Sequence, residues 1–352
     1  MTTKNIKKST TANKISVNRG SALLNKKTTP NTHKTSSQEQ AVVDEFIKQN
    51  EQGETRVFVA GGSRSGNDSI YEEQAFELGK EIGKKKFRLD FGLSSKGIMG
   101  AVAKGVLQSW QFQDNPSKKP IHAITTKEYL ALYQNDDVID SVSEIIVAHT
   151  LEERKQQLLG ADFVIFAPGG VGTLDELVYD CVAMQDGFLD FKPFVLFNVD
   201  GFFYHLLEYL KEIQQKGFSD SVPFIVVDDS FEASVAFDLL GSYYSKKMKD
   251  KKNRKTAEKL IENLIYILPY VIHQRRLHPN QSSDQLLQKM GDTLTNGLTY
   301  EKEQLRTDIE TAYLNKEIER MYERLAKAGR DTAQVSDKLN ELKKKYKKTN
   351  FI

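Results

Sequence analysis

Cysteine is nearly missing from this chain: Cys181 is the only one among 352 residues. That excludes an intramolecular disulfide and a thiolate metal cluster, and it points to a reducing, cytoplasmic compartment. Long apolar runs are missing too. The longest, residues 264–272, is too short to span a bilayer and contains Pro269, so no membrane partner is expected. No apolar h-region of a secretory signal is visible at the start. There is no HExxH, no paired Cys/His cluster and no EF-hand spacing, so neither a metal nor another cofactor is expected. Neither charge sign dominates. A formal net charge of +2 demands no polyanionic partner, and the lysine runs lack the interleaved aromatics of a single-strand platform, so nucleic acid is not the expected ligand. Acidic residues are absent before Glu39, and residues 1–38 are rich in Thr, Ser, Asn and Lys, which reads as a disordered basic tail. The lack of acids is shared with transit peptides. Arg19 is the only arginine there and no amphipathic stripe is present, which argues against that reading.

What is present is organised around FVIFAPGGVGTLDELVYDCVAMQ, residues 163–185. Residues 163–167 form a short apolar run without alternation, as in a strand covered on both faces of a parallel sheet. Pro168 stops it. Gly169, Gly170 and Gly172 then permit positive φ and leave no Cβ between backbone and ligand, and a helix over 173–185 brings unpaired N–H groups to the loop. Such a loop suits a phosphate, although it is neither a Walker A nor a full GxGxxG. Glu176 has two readings here: Thr173-x-x-Glu176 has capping-box spacing, and a carboxylate at such a site also suits chemistry.

The same pattern of strand, glycine loop and helix recurs upstream. A strand over 56–60 runs into Gly61-Gly62-Ser63-Arg64-Ser65-Gly66 and a helix over 70–83. A strand over 87–91 runs into Gly92-Leu93-Ser94-Ser95-Lys96-Gly97 and a helix from Ile98 to about 108. Further strands are expected at 121–125, 144–147, 194–198 and 224–227, with TKEYLALYQNDD a loop containing a helical turn. Helices are expected at 37–49, 150–159 and 201–216, the last with Leu206, Leu207, Leu210 and Ile213 facing inward. Strands alternating with such helices give an α/β, Rossmann-like, doubly wound parallel sheet. Its ligand lies outside the C-terminal strand ends, where the three glycine loops meet. A helix of this length crosses the layer once, so its first turn returns Arg154 to the edge carrying Glu176.

Composition divides the chain into a tail, residues 1–38, a nucleotide-binding domain, 39–240, and a charged helical extension, 241–352. In the extension an apolar helix over 260–271 should end at Pro269 or soon after, with a polar linker around 279–284. Leu314, Ile318, Met321 and Leu325 make one apolar stripe, and Val335, Leu339, Leu342 and Tyr346 another, as in helices that pack on the domain or on a second copy.

These elements together resemble the LOG ("Lonely Guy") family. The PGGxGTxxE motif is complete from Pro168 to Glu176, Glu153-Arg154-Lys155 matches the upstream ERK element, Gly62-Ser63-Arg64-Ser65-Gly66 resembles the GSSxG turn, and Gly97-Ile98-Met99-Gly100 the GLMG element. The resemblance spans about residues 56–240. It implies a nucleoside 5′-monophosphate phosphoribohydrolase, as in cytokinin biosynthesis, that frees the base and leaves ribose 5-phosphate. Arg154 and Glu176 would be catalytic, and Gly62, Ser63, Gly97, Met99, Lys155, Gly169, Gly170, Val171, Gly172 and Thr173 would bind a small nucleoside monophosphate. Arg154 would also keep the Glu176 carboxylate charged. Family members pair through helices beside the site, so a homodimer or larger assembly is implied. Two places depart from the pattern: the second loop keeps only Gly92 of its usual glycine run, and Ala183 stands where an aromatic usually precedes Met184-Gln185. Those departures and the long tail keep open a sensor or carrier that binds a nucleotide without catalysis.

Overall fold

The structure is a computed structural model describing residues 55–110, 120–133, 139–189, 192–220, 222, 224–247 and 254–327. The expected tail and first helix, and the stripe from Val335 to Tyr346, lie outside these residues.

Among the described residues seven parallel strands form one sheet: β1 (Arg56–Ala60), β2 (Arg88–Phe91), β3 (Ile121–Thr126), β4 (Glu144–Ala148), β5 (Phe163–Phe166), β6 (Phe194–Phe197) and β7 (Phe224–Val227), in the order β4-β3-β2-β1-β5-β6-β7. This is the doubly wound arrangement. The chain builds outward from β1 to one edge, returns at β5, and builds to the other, so the direction reverses between β1 and β5. The helices are α1 (Ile70–Lys84), α2 (Gly97–Ser109), α3 (Lys127–Tyr133), α4 (Leu151–Leu159), α5 (Val171–Gln185), α6 (Tyr204–Gln215), α7 (Ser230–Lys247), α8 (Arg254–Leu277), α9 (Ser283–Asn296) and α10 (Thr299–Lys327).

Alternation along each strand divides the core between the two faces of the sheet. Val57, Val59, Ile165, Val195 and Phe197 pack with α1, α2 and α7, while Phe58, Ala60, Val164, Phe166 and Leu196 pack with α4, α5 and α6. Buried charge at the lower end is paired: Asp90 accepts from Arg56 at 2.8 Å and Arg88 at 3.2 Å. Among the described residues no helix is long and apolar enough to cross a membrane.

Three expectations need correction. Helix α8 runs through Pro269 to Leu277. Proline costs the hydrogen bond to the carbonyl four residues back, but Leu264, Ile267 and Leu268 before it and Val271 and Ile272 after it are all buried in the core, and that packing holds the helix on both sides. The polar linker expected around 279–284 is present as residues 278–282, and its last residue caps α9: Ser282 accepts from Gln285 N–H at 3.2 Å and Gln285 Oε1 accepts from Ser282 N–H at 2.9 Å, a complete capping box. The segment read as a loop with a helical turn after β3 holds α3, seven residues long, and the helix expected at 201–216 starts only at Tyr204, after a 3-10 turn at Val199–Gly201.

Candidate active site

Two loops meet at the point where strand order reverses. Ala167 N–H donates to Ala60 O at 2.8 Å and Gly62 N–H to Pro168 O at 3.0 Å, joining the loop after β1 to the loop after β5. Met99 N–H donates to Gly62 O at 3.3 Å and brings the start of α2 beneath them. Gly97, at φ 61, lies under this junction, where an added Cβ would stand 2.5 Å from Arg64 N.

The central loop uses its glycines differently from expectation. None of Gly169, Gly170 and Gly172 has positive φ. A Cβ on Gly169 would meet Gly62 N at 2.8 Å and clash with the Thr173 side chain, so this glycine is required for close approach. A Cβ on Gly170 or Gly172 would meet nothing within 4 Å, because both border open space. Helix α5 starts at Val171 with Gly170 as its N-cap, and its first internal hydrogen bond runs from Leu174 N–H to Gly170 O. The N–H groups of Val171, Gly172 and Thr173 precede that bond and carry the positive end of the helix dipole.

Glu176 lies one turn further in. Because α5 starts at Val171, Glu176 falls outside the capping-box position, and no side chain caps this helix. Its carboxylate is 3.9 Å from Arg154 Nη1, with side-chain exposures of 17% and 13% for the glutamate and the arginine. Arg154 is held by backbone: Nε donates to Ile124 O at 3.2 Å and Nη2 to Gly92 O at 3.2 Å, at the ends of β3 and β2. Its guanidinium sits 5.1 Å from the centre of the Tyr129 ring. A Cβ on Gly92 would come 2.6 Å from Arg154 Nη2, which gives this glycine its reason within the departed second loop. The next residue, Leu93, takes φ 68 with its side chain fully buried.

The electrostatics overturn one expectation. Burial raises the Glu176 pKa from 4.5 to about 7; Arg154 pulls it down, Asp175 adds to the rise, and Lys155 opposes it. At 3.9 Å, with its other donors engaged, Arg154 does not offset the desolvation of the carboxyl group.

A cavity of about 640 Å³ joins these groups. Of the expected residues, Gly62, Ser63, Met99, Arg154, Gly169, Gly170, Val171, Gly172, Thr173 and Glu176 line it. Gly97 and Lys155 do not. Gly97 supports the loop junction, and Lys155 points along the outside, 3.2 Å from Asp175 Oδ2 and 4.6 Å from the Tyr179 ring centre. Tyr71, Tyr129, Phe202 and Arg64 line the cavity although sequence reasoning did not name them as site residues. Thr126, whose hydroxyl caps α3 by accepting from Tyr129 N–H at 3.4 Å, was the available signal for the turn that presents Tyr129.

Residues 99–234 match the family model described as "Possible lysine decarboxylase". A cytokinin riboside 5′-monophosphate phosphoribohydrolase of Arabidopsis thaliana is 29% identical over 192 residues, 54% of this chain and 84% of the relative. A probable cytokinin riboside 5′-monophosphate phosphoribohydrolase of Oryza sativa subsp. japonica is 34% identical over 164 residues, 46% of this chain and 67% of the relative. Among solved structures, the molybdenum cofactor carrier protein of Chlamydomonas reinhardtii aligns with a TM-score of 0.39 at 19% identity, over 54% of this chain and 99% of that one. The molybdenum cofactor binding protein of Rippkaea orientalis aligns with a TM-score of 0.38 at 18% identity, over 54% of this chain and 96% of that one. A PGGVGTLDE segment placed where the sheet reverses, and relatives matched over two thirds or more of their own length, lead to one assignment: this chain belongs to the LOG family.

Proposed function

We propose that the chain hydrolyses the N-glycosidic bond of a nucleoside 5′-monophosphate, giving a free base and ribose 5-phosphate. The observation that carries this reading is the placement of the Glu176 carboxyl group and the free N–H groups of α5 in one cavity. The phosphate sits at the N-terminus of α5, received by the N–H groups of Val171, Gly172 and Thr173. Gly170 and Gly172 border the open space it needs.

The ribose then lies towards Glu176. As the bond from C1′ to the base nitrogen breaks, its electron pair leaves with the base and positive charge grows on C1′. The ionised carboxylate stabilises that charge and orients a water whose oxygen bonds to C1′. The water's proton passes through Glu176 to the departing base, so the carboxylate is regenerated. Arg154, fixed by two carbonyls, keeps Nη1 directed at the carboxylate and the substrate oxygens. Tyr71, Phe202 and Met99 supply apolar surface for the base.

The chain works as a dimer. Val171, Leu174, Val178 and Val182 form an apolar stripe on α5 beside the cavity and are 86%, 44%, 49% and 49% exposed, a face that a second copy would cover.

The test is incubation of pure protein with a panel of nucleoside monophosphates and the matching nucleosides, with free base measured by chromatography. Base release from a monophosphate and far slower release from its nucleoside are expected. Equal rates on both would remove the phosphate cradle from the reading. Tight binding without release would favour the carrier alternative.

A further inference from the structure

The C-terminal helices are not an isolated appendage to the strand ends near the cavity. Arg320 of α10 donates from Nη2 to Val226 O at 2.8 Å and from Nε to Asp228 Oδ2 at 3.2 Å. Lys316, one turn earlier, lies 3.0 Å from Asp228 Oδ2 and 2.7 Å from the buried Glu232 Oε1. Glu232 in turn accepts from Asp228 N–H at 3.0 Å. The end of β7 is therefore clamped on both its carbonyl and its carboxylate.

The clamp continues inward. Asp228 Oδ1 accepts from Asn198 Nδ2 at 3.1 Å, and Asn198 Oδ1 accepts from Phe203 N–H at 2.9 Å. Asn198 is buried and closes the tight turn after β6, where Asp200 and Gly201 take successive left-handed conformations at φ 50 and φ 65. This turn sets adjacent phenylalanines apart: Phe203 is buried, whereas Phe202 lines the 640 Å³ cavity and meets Tyr71 edge to face at 5.9 Å. Behind the same turn is a second cavity of about 230 Å³, bordered by Asn198, Gly201 and Tyr204 on one side and Tyr313, Lys316 and Arg320 on the other. The turn is a wall shared between the candidate active site and the helical extension.

We propose that Arg320 and Asn198 are positioning residues through which the C-terminal helices set Phe202 against the bound nucleotide, and so set substrate affinity. This rests on the reading of the larger cavity as a nucleoside monophosphate site. Each side-chain link in the path is a direct hydrogen bond, and it ends on a single turn with two left-handed residues that is otherwise held by its own backbone bonds and by Asn198 N–H on Val227 O. Loss of the arginine leaves Asp228 with one cation fewer, frees Val226 O, and lets the Asn198 amide and the turn relax away from Tyr71.

The experiment is a double-mutant cycle on the full chain, with adenosine 5′-monophosphate and the other common nucleoside 5′-monophosphates as probes. Arg320→Ala should raise KM roughly fivefold, the scale of one lost aromatic contact, while kcat stays within about twofold. Phe202→Ala should give the same KM rise, and the double variant should be no worse than either single one, because both remove the same contact. Arg320→Lys, which keeps the charge on Asp228, should recover part of the loss. Unchanged KM in a folded Arg320→Ala, or effects that multiply in the double variant, would overturn the proposal. If Arg320→Ala does not fold, Asn198→Ser breaks the same path and is judged by the same two criteria. Glu176→Gln, run alongside, separates this inference from the site reading beneath it: that variant should lose kcat, whereas the clamp variants lose KM. If the wild-type chain binds monophosphate without releasing base, the cycle is read as affinity by calorimetry. If it neither releases base nor binds monophosphate, both readings fall.

Discussion

Replacing Glu176 by Gln should make the protein more stable and less active at once. In the folded chain its carboxyl pKa is about 7, against an ordinary 4.5, because burial disfavours the charged form. Between those values the native state keeps a proton that the unfolded chain has released. Stability therefore falls as pH rises through that window, and above it the whole penalty is present, about 3 kcal/mol from the size of the shift. Gln cannot ionise and has nearly the same shape. At about pH 8 the variant should be more stable than wild type by up to about 3 kcal/mol, and at about pH 4 the two should be nearly equal. In a domain of this size that corresponds to a Tm higher by roughly 5 °C or more at the alkaline pH. Base release should drop by about 10²-fold or more, as for a lost positioned acid or base. The assay is thermal melting of both proteins across this pH range, paired with base release at each pH. A stabilising residue would behave in the opposite sense, losing stability with its charge. A Gln variant with no alkaline gain in Tm, or one that turns over normally, would refute the reasoning.

Wild-type kcat/KM at low substrate should rise with pH through about 7 as Glu176 ionises, and a flat profile across that range would remove the carboxylate from the chemistry. Gly169→Ala should cost about 1–3 kcal/mol and weaken monophosphate binding, since its Cβ collides with Gly62 and Thr173, whereas Gly172→Val should leave the Tm nearly unchanged and lose binding alone; melting curves and calorimetry separate the two. Val178→Asp should convert the proposed dimer to a monomer in light scattering at micromolar concentration, and a wild-type chain already monomeric there would disprove the pairing face.

The sheet could be read from the sequence because its strands, such as FVIFA and FVLFN, are apolar on both faces and are punctuated by glycine loops. What stayed hidden depends on packing. Pro269 reads as a helix stop, and only the buried residues on both sides of it carry α8 onward. Helix α9, by contrast, carried its signals openly, a capping box in Ser282 and Gln285 and an apolar stripe in Leu286, Leu287, Met290 and Leu294. Lys155 was excluded by geometry available from the start: it follows Arg154 by about 100° around the helix, so the two side chains do not both face the cavity. The protonation of Glu176 and the place of Phe202 depend on what the rest of the chain lays over them, and neither residue's neighbours in sequence report that.

Leu93 gives the second loop a character that a run of glycines would not. A left-handed backbone angle is costly for a leucine and is retained here with the side chain fully inside the core. The loop is thereby pinned from beneath, and Gly92 O is already in place for Arg154 before any ligand arrives. A glycine-rich version would have to surrender chain freedom with each substrate it captured. This one has surrendered that freedom once, during folding, so the entropy lost at this edge of the pocket is charged to the protein's stability and not to each binding event.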